Sequence, residues 1–140
     1  MKLRRARLDD AVAMAELSAE FGYAASAKET RERLQFLLTQ SEHAVWVADD
    51  GHVRGWLHAR ISRQVESSEY VEIAGLVVAE SCRSQGIGAQ LVAAAEAWAL
   101  AQGHKLVRLR SRLERERAHA FYKRLGYREI KRQFAFAKDL

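Results

Sequence analysis

Val78-Ala79-Glu80-Ser81-Cys82-Arg83-Ser84-Gln85-Gly86-Ile87-Gly88 decides how this chain of 140 residues is read. An apolar strand runs out at Val78, and a long helix carrying Leu91, Val92, Ala95, Trp98 and Ala99 on one face runs over 88–102 to a stop at Gly103. The two glycines of the turn let the backbone come close to a ligand. A helix N-terminus adds unpaired N–H groups and the positive end of its dipole. Such a turn suits a pyrophosphate, with Arg83 adding a charge-assisted contact. The first glycine of G-x-G-x-x-G is missing and no Lys-Ser/Thr pair follows, so neither the dinucleotide fingerprint nor the P-loop applies. Taken alone, the segment is equally a plain tight turn.

Immediately upstream, Tyr70–Val78 reads as a strand whose phase changes midway. Val71 and Ile73 alternate, Leu76 and Val78 alternate, but Ile73 and Leu76 lie three apart. A period-two strand puts all four on one face only if one residue is inserted, and Gly75 sits in the gap, as a β-bulge requires. An irregular buried strand without function has the same pattern. Further upstream, Ala44–Ala48 and Val53–Ile61 are strands joined by the tight turn Asp49-Asp50-Gly51-His52, with Trp56, His58 and Arg60 on one face of the second. Lys2–Ala6 is a first strand. Asp9 or Asp10 is expected to cap a helix bearing Met14, Leu17 and Phe21, and Ser26-Ala27-Lys28-Glu29 has the form of a capping box opening a second helix.

Downstream, His104–Ser111 reads as a strand. Glu114–Leu125 reads as a helix with Ala118, Phe121, Tyr122 and Leu125 at i, i+3, i+4 and i+7, and Tyr127–Lys138 is β-prone. The order β-α-α-β-β-β-α-β-α-β specifies an α/β chain, a mixed sheet with helices on both faces, over a single domain spanning 1–140.

Composition narrows the function class. With 49% hydrophobic and 29% charged residues the chain is ordinary for a globular protein. No apolar run reaches the ~18–20 residues of a membrane span, and the basic start Met1–Arg7 precedes no signal-length apolar stretch, so a cytoplasmic address without a membrane partner is expected. The single cysteine, Cys82, excludes an intramolecular disulfide and is too few for a structural zinc site. The net charge of +5 is spread in clusters interleaved with Glu and apolar residues, which suits local anion sites better than a polybasic arm. A nucleic-acid module calls for aromatic residues interleaved with Arg on one exposed face, and only Trp56 and Tyr70 fit. No nucleic-acid partner and no metal are expected.

With these segments in place, residues 78–88 resemble motif A of the GNAT superfamily of N-acetyltransferases, whose core is Q/R-x-x-G-x-G/A. Arg115-x-x-Ala118-His119-Ala120-Phe121-Tyr122-Lys123-Arg124-Leu125-Gly126-Tyr127 resembles motif B, at the family's usual separation with one strand between. The bulged strand is similar to the family's fourth strand, which splays from the fifth to admit the pantetheine arm of CoA. The resemblance implies a GNAT fold and acetyl-CoA as co-substrate. It implies that backbone groups of Leu76, Val77 and Val78 pair with the pantetheine amides. Main-chain N–H groups of Gln85, Gly86, Ile87, Gly88 and Ala89 would then hold the pyrophosphate, with Arg83 and Ser84 at its rim. Arg115 stands at a cofactor-touching position, and Ala118, Phe121 and Tyr122 line the thioester arm. Three positions depart from the pattern: Ser84 where glycine is commoner, Ala79-Glu80 where proline often follows the strand, and Arg115 where many members carry asparagine.

The implied chemistry has two proton problems. An alkyl amine with a pKa of ~10.4 must lose a proton before it attacks the thioester, and the CoA thiolate is helped by a donor. Glu72 resembles the family's general base, acting through water, with Glu69 and Glu66 as nearby substitutes. Tyr122 resembles the general acid, and a backbone N–H of Val77 or Val78 is the expected oxyanion donor. The plainer readings are an ordinary exposed strand glutamate paired to an arginine and a tyrosine that only packs. His58 belongs either to the acceptor site or to a solvated sheet face. The family's acceptor groove corresponds to about 21–27, 62–69 and 133–136, where Glu66 and Glu69 suit a small cationic amine, polyamine-like or aminoglycoside-like. A protein N-terminus or lysine is the alternative acceptor, and a CoA-binding sensor without turnover the alternative function. Analogy with the family implies a homodimer through the C-terminal strands.

Overall fold

Alternating side chains lay five strands edge to edge in chain order: β1 (Lys2–Arg5), β2 (His43–Asp49), β3 (Val53–Ser62), β4 (Tyr70–Val78) and β5 (Val107–Leu109). The computed structural model describes residues 1–140, which form two compact units, Met1–Arg110 and Ser111–Leu140. Every neighbouring pair through β4 is antiparallel, whereas β4 and β5 are parallel. The parallel pair follows from the connection, because the chain between them passes through the long helix α3 (Ile87–Ala101) before it can pair again.

Period-two alternation sends β2 residues to opposite layers. Val45 and Val47 pack with Met14 of α1 (Ala11–Glu20) and Leu34 of α2 (Ala27–Leu37), while Trp46 meets Trp98 of α3 edge-on at 6.0 Å. Helices therefore cover both faces, as the element order predicts. The capping box at the start of α2 forms in full: Glu29 N–H donates to Ser26 Oγ at 3.0 Å and Ser26 N–H to Glu29 Oε1 at 3.1 Å. The cap expected for the first helix does not form. Asp10 has helical dihedrals and makes no side-chain cap bond to α1; its buried carboxylate accepts the Arg7 N–H at 2.7 Å and bonds from Arg4 Nη1 and Nη2 at 2.9 Å. Arg4 also reaches Asp49 of β2 at 3.2 Å, so one ion cluster ties β1, β2 and the entry to α1.

In the second unit, Arg115 precedes α4 (Glu116–Arg124), whose Ala118, Phe121 and Tyr122 are half-buried together with Leu125 beyond it. Phe121 and Tyr122 meet edge-on at 5.2 Å, and Gly126, at φ 93°, ends the helix. The β-prone tail is a correction: no strand forms after Tyr127, and Phe134 and Phe136 are 87% and 92% exposed. A strand needs a neighbour for its backbone groups, and β propensity does not supply one. No helix is long and apolar enough to cross a membrane.

Candidate active site

The site is built on the irregularity of β4. Ile73 pairs with Ala59 and Gly75 with His58, leaving Ala74 unpaired, so the bulge lies one residue before the glycine expected to mark it. The inserted residue flips the alternation, and Glu72 before it shares a face with Gly75 and Val77 after it. Gly75 is needed for a different reason. A Cβ there would sit 2.8 Å from Cη2 and Cζ3 of Trp56, whose ring lies across the strand. On the other edge of β4, β5 pairs only with Val71, Glu72 and Ile73. From Ala74 through Val78 that edge carries no β5 partner, which leaves Leu76, Val77 and Val78 able to accept an added strand-like ligand.

The open edge leads into the glycine turn. After a short 3-10 turn at Glu80–Cys82, Arg83 is extended, and Ser84 and Gly86 take left-handed dihedrals at φ 68° and 81°. The positive φ of Ser84 explains why glycine suits that position better. Gly86 is the N-cap of α3 and offers no side-chain cap, while its carbonyl accepts the first helical bond, from Gln90. The N–H groups of Ile87, Gly88 and Ala89 therefore have no intrahelical acceptor and form an anion site at the positive helix end. Arg83 lies over the Phe21 ring at 4.7 Å, held at the rim of this turn.

Sequence reasoning missed what lets that turn sit so low. Gly55 of β3 faces it, and a Cβ there would lie 3.0 Å from Val77 O, 3.3 Å from Leu91 Cδ1 and 3.4 Å from Ile87 Cγ2. A glycine inside a strand is the signal that marks such a close approach.

On the opposite face of the sheet, a cleft of about 310 Å³ runs between the bulge and the α1–α2 layer, walled by Trp56, His58 and Gly75 on one side and by Tyr23, Arg33 and Leu37 on the other. His58 thus lines the cleft rather than a solvated sheet face. Burial, His43 and Arg60 together push its pKa down to about 4, so it is neutral at pH 7. Arg33 is the only charged side chain on the wall. Trp56 Nε1 has no hydrogen-bond partner in the protein.

Glu72 is 7% exposed and shares the face of Trp56 and His58. Its Oε1 accepts a bond from Arg60 Nη2 at 3.1 Å, and Arg110 stands 4.0 Å from Oε2. The arginine partnership foreseen as the plainer reading is therefore present, on a buried carboxylate. Glu69 is engaged by Arg63 and lies 3.9 Å from His104 Nε2. Tyr122 belongs to the second unit, on the half-buried stripe with Ala118 and Phe121 that the sequence foresaw.

Comparison with known proteins agrees with this geometry. The family model described as acetyltransferase (GNAT) family matches residues 11–127. The chain is 31% identical to an aminoglycoside N(6')-acetyltransferase type 1 of Stenotrophomonas maltophilia, covering 99% of this chain and 93% of the relative. It is 34% identical to an aminoalkylphosphonate N-acetyltransferase of Salmonella typhimurium, covering 74% and 67% respectively. Among solved structures, an aminoglycoside N-acetyltransferase in complex with CoA matches with a TM-score of 0.84 at 21% identity, covering 99% of this chain and 100% of that one.

Proposed function

The chain belongs to the acetyltransferase (GNAT) family, and on that premise we propose that it transfers the acetyl group of acetyl-CoA to a primary amine on a small molecule by direct attack on the thioester. The supporting observation is the continuity of the open β4 edge, Ala74–Val78, with the uncapped helix end at Gly86. An amide-bearing arm suits the first and a pyrophosphate suits the second. We assign the cofactor to Leu76–Val78, Arg83–Ala89 and, on the strength of the motif alone, Arg115, Ala118, Phe121 and Tyr122. The two units act as one catalytic domain in this reading, supported by a family match that runs without a break across residue 110.

In the reaction, the amine nitrogen attacks the carbonyl carbon and the C–S bond breaks. Glu72, through a water, accepts a proton from the attacking nitrogen, and Tyr122 gives one to the departing sulfur. The acceptor we favour has a neutral or anionic far end rather than a row of ammonium groups. A wall whose only charge is Arg33 repels a polycation, and Glu69, half of the expected acidic lure, is already paired. The relative named for an aminoalkylphosphonate substrate is compatible with that choice.

A free-thiol release assay with acetyl-CoA and a panel of aminoalkylphosphonates, amino alcohols, polyamines and aminoglycosides tests both levels. Thiol release with none of them would sink the transferase reading. A higher kcat/KM for aminoglycosides than for the anionic amines would sink the acceptor class. Gly86→Asp, which places bulk and negative charge at φ 81°, should abolish the rise in Tm on adding acetyl-CoA.

A further inference from the structure

An ammonium that becomes an amide nitrogen loses two protons, of which one ends on the CoA sulfur and the other must reach solvent. Glu72, clamped by Arg60, and Tyr122 do not by themselves give that surplus proton a way out. His58 on the cleft wall is bonded to a second histidine, His43, behind it. His43 of β2 is opposite Arg60, and His58 is opposite Val45, so the two histidines are diagonal neighbours on one sheet face. Their rings stack at 5.1 Å, and His43 Nδ1 and His58 Nε2 are 2.9 Å apart, a hydrogen bond. His58 Nδ1 has no partner within the protein and is not sealed from solvent, on a residue that walls the cleft beside the bulge.

We propose that this pair is the proton exit of the acceptor cleft, with His58 Nδ1 the base that turns the bound ammonium into the attacking amine. The inference rests on the reading of this cleft as the acceptor site. In the resting pair His58 carries its proton on Nε2 and donates it to His43 Nδ1, leaving His58 Nδ1 free. The ammonium N–H bond breaks and its proton goes to His58 Nδ1. The Nε2 proton moves across the 2.9 Å bond to His43 Nδ1, and the Nε2 proton of His43 leaves to water. No charge accumulates on either ring, the nitrogen lone pair is free for the thioester, and proton exchange with water then returns both rings to their starting tautomers. The second proton, released as the tetrahedral adduct collapses, passes through water to Glu72 and by exchange with solvent replaces the one that Tyr122 gives to the sulfur. His58 touches the substrate; His43 acts through it and is a positioning residue.

The surroundings keep both rings neutral until a substrate proton arrives. Burial first, and Arg60 of β3 after it, depress both pKa values, His43 adds to the effect on His58, and Glu42 pulls His43 the other way. The remaining titratable groups on this face are Tyr23 and Arg33 across the cleft, and Glu72, which accepts a bond from Arg60 and has Arg110 at 4.0 Å. A protonated pair beside Arg60 is unfavourable, so the proton is passed on rather than stored.

The test uses His58→Gln and His43→Gln, singly and together, each checked for folding by its Tm and for an unchanged acetyl-CoA-induced shift. His58→Gln should lower kcat/KM by ~10²-fold at pH 7, and the defect should shrink steadily toward pH 10 as the amine arrives already neutral. The double variant should be no worse than His58→Gln alone, because the two rings act as one unit. A loss of equal size at every pH, or losses that multiply in the double variant, would overturn the proposal. Nitrogen NMR of the imidazoles gives an independent reading that requires no turnover. An Nε2–H tautomer at His58 supports the exit, and an Nδ1–H tautomer overturns it. An inactive wild type with the Nε2–H tautomer would instead count against the transferase reading alone.

Discussion

Adding one methyl group at Gly75 tests how tightly the bulge and the cleft are joined. The Cβ of Gly75→Ala would stand 2.8 Å from two carbons of the Trp56 six-membered ring. Carbon atoms settle at about 3.5–4.0 Å, so the ring or the strand must give by roughly 0.7–1.2 Å. Trp56 packs against both the Met14–Leu34–Val47 and the Leu17–Val77–Ala79 clusters, so a shift of its ring toward the cleft it walls gives up part of that packing. Overpacking of this kind costs about 1–3 kcal/mol. For a chain of this size that corresponds to a fall in Tm of roughly 4–12 °C. Urea unfolding should show a lower midpoint at unchanged slope, since the unfolded surface is the same. Because both residues wall the cleft, KM for the amine should rise while the acetyl-CoA-induced shift survives. Trp56→Phe removes the clashing carbons, so the same glycine change should cost less in that background. An unaltered Tm for Gly75→Ala, or an identical loss in the Trp56→Phe background, would refute the argument that Trp56 dictates glycine here.

Three further outcomes are expected. Asp10→Asn breaks the buried partnership with Arg4 and Arg7 and should cost about 2–3 kcal/mol by urea unfolding. Although burial opposes it, the Arg4 bonds hold the Asp10 carboxyl below its ordinary range, so this loss should fade only as pH falls through that lowered value. His58 has the opposite linkage. Its pKa falls from 6.5 to about 4 on folding, the unfolded chain binds more protons in that window, and stability should drop as pH goes from 6.5 to 4. The full displacement corresponds to about 3 kcal/mol, less for a partly solvated ring, and His58→Gln should flatten the curve by about 1–3 kcal/mol when unfolding is compared at pH 7 and 4.5. Tyr122→Phe should keep acetyl-CoA binding and lower kcat toward the ~10²-fold end of general-acid effects, a defect that should shrink with acyl donors whose leaving thiol is more acidic. Full turnover by that variant at every pH would make Tyr122 a packing residue.

Features set within a few residues were legible in the sequence. The phase slip between Ile73 and Leu76 announced the bulge, Ser26 and Glu29 announced the capping box, and the glycine turn announced an uncapped helix end, because each depends on dihedrals and spacing within one or two turns of chain. The stripe of Ala118, Phe121, Tyr122 and Leu125 was legible for the same reason. What the site does with its charges was decided by tertiary structure alone. Register brings Arg60 to Glu72 across 12 positions and His43 to His58 across 15, and no local pattern encodes which residue a strand will face. The same holds for Asp10, whose carboxylate serves Arg4 and Arg7 instead of α1, and for Gly55, whose missing side chain admits α3. The tail after Tyr127 shows the limit from the other side: its residues favour a strand, but a strand exists only where a neighbour takes its hydrogen bonds, and propensity cannot create that neighbour.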